Sequence, residues 1–172
     1  MVKSERSDEL HLAFIEALEE LGAKVETMER LSETMNVPFA KEMFRSWSKA
    51  GREVIFVRGA GFVNVHVRSD TKGFWGITKA LDADFAVLRK ELGVPCWYVL
   101  LVERRDRRGA NGYILEDLES PPIIKRPSET AAQLKINEGT NLDKDKIVRS
   151  LAKVASAMLE RGRERYGSSL GK

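Results

Sequence analysis

The sequence predicts an α/β (α+β) fold built on a mixed central sheet of about five strands flanked by helices. Three observations carry that prediction. The first fifty residues repeat their apolar side chains at helical spacing, residues 53–102 change to period two and to continuous apolar runs, and a last helical pattern closes the chain. At 172 residues the chain is long enough for one domain with a real core, expected to span 1–172. Within it, 1–50 form a helical N-terminal part, 51–137 the sheet core, and 138–172 a C-terminal helix and tail.

The first helix is expected over 8–21. Ser7 suits an N-cap, Asp8 and Glu9 put acids in the first turn, and Leu10, Phe14, Ala17, Leu18 and Leu21 recur at helical spacing before Gly22 ends the run. A second helical stretch is expected over about 25–35. A third begins at Pro38 and carries Phe39, Met43 and Trp47 to Gly51. Glu53–Arg58 (EVIFVR) is apolar and β-branched, GAG at 59–61 is a flexible turn, and Phe62–Arg68 alternates, so the three segments read as a β-hairpin. Residues 74–78 (FWGIT) read as the third strand of the same meander. Residues 80–92 read as a helix with Leu81, Phe85, Leu88 and Leu92 on one side. Trp97–Val102 (WYVLLV) is a continuous apolar run, the pattern of a strand buried on both faces. Residues 112–118 make another strand, the paired prolines of SPPIIKRP bar a central strand there, and 132–136 form a short strand. Asn141 or Asp143 is expected to cap a last helix through Leu151, Val154, Ala155, Met158 and Leu159. The polar tail after Gly162 is expected to be loose.

Hydrophobic residues make up 42% of the chain and charged residues 32%, a composition of soluble globular proteins. No apolar run approaches membrane-spanning length and the N-terminus is charged, so a cytoplasmic protein with no membrane partner is expected. Cys96 is the single cysteine, which excludes an internal disulfide and a cysteine-based zinc site. The net charge of +3 is unevenly spread: residues 1–50 hold seven Lys/Arg against ten Asp/Glu, and the remainder holds 22 against 16. A basic body suits a polyanionic partner.

Several chemistries are excluded. The glycines at 59, 61, 73 and 76 form neither GxGxxG nor a GK[ST] phosphate loop, no GxSxG elbow exists, and the two histidines lie far apart. Acid pairs at Asp82/Asp84, Glu116/Asp117 and Asp143/Asp145 each offer two carboxylates to a hard cation, and each also suits a helix cap or strand end. Arg104, Arg105, Arg107 and Arg108 crowd the segment after the buried strand, where guanidinium forks suit phosphates. With Arg58, Lys72 and Lys79 they make up the candidate nucleic-acid contacts. Residues 28–47 also have a helix-turn-helix flavour. Leu31, Met35, Asn36 and Val37 would form the first helix and turn, Pro38 would open a recognition helix offering Lys41, Glu42, Arg45, Ser46 and Lys49, and the hairpin 53–68 would be a wing.

The order of elements from 53 to 102, and in particular HVRSDTKGFWGIT followed by GVPCWYVLLV, resembles the restriction-endonuclease-like (PD-(D/E)xK) nuclease superfamily. Its members place a helix before a three-strand meander, then a helix, then a strand. The resemblance covers about half the chain and implies a restriction-endonuclease-like fold. It implies phosphodiester cleavage in DNA with Mg2+ as cofactor, DNA rather than RNA as partner, and a homodimer. In that family an acid near the preceding strand and the acid of (D/E)xK hold the metal, and the lysine helps activate water. Period-two geometry puts the acid and the lysine on one face. The matching positions here are His66 and Arg68, with Asn64 one step earlier, Glu53 as the acid of the preceding strand, Asp70 as a displaced substitute, and Glu16 as the first-helix glutamate by position. Histidine replaces the acid and arginine, always protonated, replaces the lysine. The expected function is therefore DNA binding by a nuclease-like protein, either a metal-dependent endonuclease or its inactive relative. Two alternatives stay open: a noncatalytic winged-helix DNA-binding or regulatory module, and an assembly subunit that binds an acidic protein.

Overall fold

The computed structural model describes residues 5–34, 38–49, 53–68, 74–103, 110–115, 131–135, 148 and 150–170. The elements in chain order are α1 (Glu5–Glu20), β1 (Val25–Thr27), α2 (Met28–Thr34), α3 (Pro38–Lys49), β2 (Val54–Val57), β3 (Gly61–Arg68), β4 (Phe74–Thr78), α4 (Lys79–Leu92), β5 (Cys96–Glu103), β6 (Ala110–Leu115), β7 (Ala131–Lys135) and α5 (Leu151–Leu170). The protein is α/β, with a five-stranded mixed sheet in the order β1-β2-β3-β5-β6 and helices on both faces.

β3 and β5 lie side by side at its centre. They pair in parallel from Phe62↔Cys96 to Arg68↔Val102. A parallel pair needs a crossover, and α4 supplies it. β2 and β6 flank this pair antiparallel, and β1 forms the edge beyond β2. The sheet alternation sorts side chains into two cores. Even-numbered positions of β3 and β5 (Phe62, Cys96, Tyr98, Leu100) pack under α2, α3 and α4 with Leu31, Phe44, Trp47, Phe85 and Leu88. Odd-numbered positions (Val63, Val65, Trp97, Val99, Leu101) pack under α1 and α5 with Leu10, Phe14, Leu18, Val154 and Met158.

Four expectations are corrected. Residues 25–35 are not one helix: β-branched Val25 and Thr27 extend β1 along β2 through Val25↔Val57, and helix α2 begins only at Met28, where Thr27 Oγ1 accepts the Arg30 amide at 3.3 Å. Residues 74–78 do form a strand, but it is not the third of a meander. It pairs with β7 in a separate two-stranded ribbon, Phe74↔Lys135 to Thr78↔Ala131, because β5 takes the free edge of β3. The hairpin 53–68 is not a projecting wing, since β2 and β3 each have a strand on both sides. The tail after Gly162 is not loose: α5 runs to Leu170, in keeping with the helix-forming arginines and glutamate at 161–165. The proposed caps Asn141 and Asp143, and residues 116–118 and 136, lie outside the described residues. The described N-cap of α5 is Ser150, whose Oγ accepts the Lys153 amide at 3.3 Å.

Two glycines permit close packing at the hairpin end of the sheet. Gly61 has φ +121, and a Cβ there would run into the Pro95 carbonyl, the group that accepts the Phe62 amide at 3.0 Å. Gly162 of α5 rests on Ala60, where a Cβ would overlap the Ala60 backbone, and Trp97 Nε1 donates to the Ala60 carbonyl at 2.7 Å. Gly61→Ala is expected to cost about 2–4 kcal/mol, combining a disfavoured backbone with overpacking. A urea midpoint equal to that of the wild type would show that the hairpin and Pro95 do not meet this closely.

Candidate nucleic-acid interface

The parallel pair β3–β5 has one carboxyl end, where Arg68 and Val102 are register partners. In open α/β sheets that end is where ligands bind, because the crossover helix leaves it uncovered. Burial along the even face of β3 follows this geometry. Phe62 is buried, Asn64 is half-buried with its Nδ2 donating to the Glu53 carbonyl at 3.3 Å, and His66 is exposed. His66 lies beside Leu100, which is fully buried, so the imidazole stands at the rim of the even-face core. Arg68 continues the same face by register, and Lys79 is the first residue of α4.

Glu53 does not join them. It precedes Val54 of β2, its carbonyl accepts the Val65 amide at 2.9 Å, and its side chain turns to α1, where Oε2 lies 3.8 Å from His11 Nδ1. Both side chains are mostly buried there, at 18% exposure for His11 and 17% for Glu53. His66 and Glu53 are thus on opposite faces of the sheet. His11 was not singled out by sequence, although its place one turn before Phe14 and Ile15 marks the packed side of α1. Glu16 is exposed on the same helix. Asp70 and Lys72 lie outside the described residues, as do Arg104, Arg105, Arg107 and Arg108; the flanking residues Glu103 and Ala110 are register partners at the carboxyl end of β5.

Arg58 belongs to the other end of the sheet. It follows β2 at the hairpin turn, and its Nη2 donates to Glu26 Oε1 of β1 at 3.0 Å. Glu26 is 8% exposed, so this guanidinium neutralises a buried carboxylate. Asp82 and Asp84 are also committed. Tyr98 donates its hydroxyl to Asp82 Oδ1 at 2.6 Å, and Trp47 donates Nε1–H to Asp84 Oδ2 at 2.8 Å, so the two carboxylates fasten α4 to β5 and to α3. The pairs Glu116/Asp117 and Asp143/Asp145 lie outside the described residues. Among the described residues no group of three or more His, Cys, Asp or Glu is placed to hold a metal ion. A magnesium site needs oxygen ligands on one side of the sheet. His66 and Glu53, on opposite faces, do not fit it.

Burial pushes the Cys96 thiol up to about 12; the nearby Arg89 opposes the rise and Asp82 adds to it. The Tyr98 hydroxyl is raised as well, first by burial and then by its hydrogen bond to Asp82. No helix among the described residues is long and apolar enough to cross a membrane.

The fold is α/β, with His66 exposed at the carboxyl end of its parallel strands. No family model, curated protein or solved structure matches the chain.

Arg58→Gln is expected to destabilise the protein by about 1–2 kcal/mol, because it leaves the Glu26 carboxylate buried without its partner. Adding Glu26→Gln should recover part of the loss, and equal additive losses in urea denaturation would refute the pairing. Stability is also expected to fall as pH rises from about 9 towards 12: unfolded Cys96, with its ordinary value of 9.0, loses its proton in that window and the native thiol does not. Cys96→Ala should lessen that fall, leaving the part above about pH 10 to Tyr98, whose ordinary value is 10.0 and whose native hydroxyl is also raised, and native Cys96 should resist iodoacetamide at pH 8 until the protein is unfolded.

Proposed function

We propose that the chain is a DNA-binding protein of restriction-endonuclease-like fold that holds the phosphate backbone at the carboxyl end of β3 and β5 and does not cut it through His66. One observation carries the reading. β3 and β5 are adjacent and parallel with α4 as their crossover, while the acid of the preceding strand turns to the far face. The expected meander of 53–58, 62–68 and 74–78 loses its third strand; what supports the reading is that α1, the antiparallel strands β1–β2–β3, α4 and β5 follow in the family's order once α2 and α3, between β1 and β2, and β4, between β3 and α4, are set aside. The exposed imidazole of His66 and the cations at Arg68, Lys72, Lys79, Arg104, Arg105, Arg107 and Arg108 supply hydrogen-bond donors and charge to phosphate oxygens. Arg68 remains protonated throughout and contributes charge rather than proton transfer. Arg58 is left out, being engaged with Glu26. The partner is double-stranded DNA and the contact is to its backbone.

If the seven cations each neutralise one phosphate, log K should fall with log[salt] with a slope of about −6. Replacing Arg104, Arg105, Arg107 and Arg108 together by Gln should reduce that slope by about 3.6. Plasmid DNA incubated with Mg2+ or Mn2+ should stay intact with wild type and with His66→Ala. Failure of the wild type to retain duplex DNA at 50 mM salt would sink the reading in favour of an acidic-protein partner. Cleavage by wild type that disappears in His66→Ala would restore an active nuclease.

A further inference from the structure

Helix α3 plays no part in the interface above, yet its surface is charged in a regular way. Ala40, Phe44 and Trp47 bury one side of it, and the Trp47–Asp84 hydrogen bond and the packing of Trp47 on Phe62 and Phe85 hold it firmly against the sheet. Lys41, Arg45 and Lys49 follow one another at i, i+4 and i+8, a row that excludes Trp47 and spans about 12 Å. Arg45 and Lys49 are exposed and Lys41 is half-buried. Arg45 Nη1 meets Glu42 Oε1 at 3.3 Å, with the side chains 54% and 75% exposed. An ion pair so open to water contributes little and is readily exchanged for a stronger anion. The neighbouring positions Glu42 and Ser46 are exposed and polar, and the large exposed apolar residue of this helix, Phe39, sits in its first turn.

A protein partner would need an apolar centre to its contact, which this row lacks. A phosphate backbone needs cations at regular spacing on a rigid support, which it has. We propose that Lys41, Arg45 and Lys49 form a second phosphate-contacting surface for duplex DNA, and that Glu42 competes with the phosphate for Arg45. The inference rests on the DNA-binding reading and extends it to a face of the protein away from the carboxyl end of β3 and β5. The contact is with the backbone and not with bases, because the hairpin that would flank a groove-reading helix lies inside the sheet.

The test is duplex binding across 50–200 mM salt by the full chain, with a mixed-sequence fragment. Lys41→Gln/Arg45→Gln/Lys49→Gln should reduce the slope of log K on log[salt] by about 2.7, and Glu42→Gln alone should tighten binding and steepen the slope by up to about 0.9. The opposite signs separate a phosphate contact from a loss of structure, and the single Glu42 variant keeps the test valid if the triple variant misfolds. If wild type binds DNA while both variants keep its slope and affinity, this surface is overturned and the carboxyl-end interface stands. If wild type binds no DNA at low salt, both fall together. Capture of poly-glutamate that the triple variant loses, with its DNA slope unchanged, would assign the row to an acidic protein and overturn the proposal.

Discussion

The parallel pairing of β3 with β5 is the constraint on which the rest of the structure depends. Two strands that run the same way cannot be joined by a turn, so the chain must leave the sheet, travel back as α4 and re-enter at Cys96. Both strands are then interior, and the stretches of them covered by helices must be largely apolar on both faces. That requirement makes WYVLLV a continuous apolar run and gives β3 its buried valines. It also fixes the helices: α2, α3 and α4 close one face, α1 and α5 the other. At about 25 cal/mol per Å² of apolar surface, covering both faces of two such strands dominates the free energy of folding. The polar groups near this centre have partners: the Tyr98 hydroxyl on Asp82, the Trp47 indole on Asp84 and the Trp97 indole on the Ala60 carbonyl.

The same pairing sets where chemistry can occur. A strand with neighbours on both sides and helices above and below is open only at its ends. At the hairpin end, Gly61, Ala60, Pro95 and Gly162 pack backbone against backbone and leave no room. At the carboxyl end, His66 reaches solvent. The two faces of that end are chemically different: the even face carries Asn64, His66 and Arg68, and the odd face carries the His11–Glu53 pair. Separation across the sheet, rather than distance along the chain, divides Glu53 from His66.

Much of the fold is legible in the residues. The hairpin 53–68, the helix 80–92 and the buried strand after Pro95 are local patterns of period and length, and they stand where the pattern puts them. What is not legible depends on partners far away in sequence. β1 has three residues, too few for a period to register, and exists because Val57 lies opposite Val25. FWGIT reads as a strand, but its partner could not be chosen from its own residues; β5 competes for the edge of β3 and wins through its apolar length. The site was harder still. Glu53 and His66 are thirteen residues apart across a tight turn, and the face of each follows only from the register Val54↔Asn64. Nothing near Arg58 in sequence marks its partner, because Glu26 lies 32 residues away in a segment whose pattern suggests a helix.

The seating of Gly162 on Ala60 gives the chain an order of events during synthesis. α5 is the last described element, and it covers the odd face at Val63, Trp97, Val99 and Ala110 together with α1. Until the ribosome releases it, that face is shielded by α1 alone, and a nascent chain ending before Leu151 presents valines and an indole to its neighbours. Closure of this face is therefore coupled to α5, and chains cut short in that helix should be substrates for chaperones and proteases rather than functional fragments.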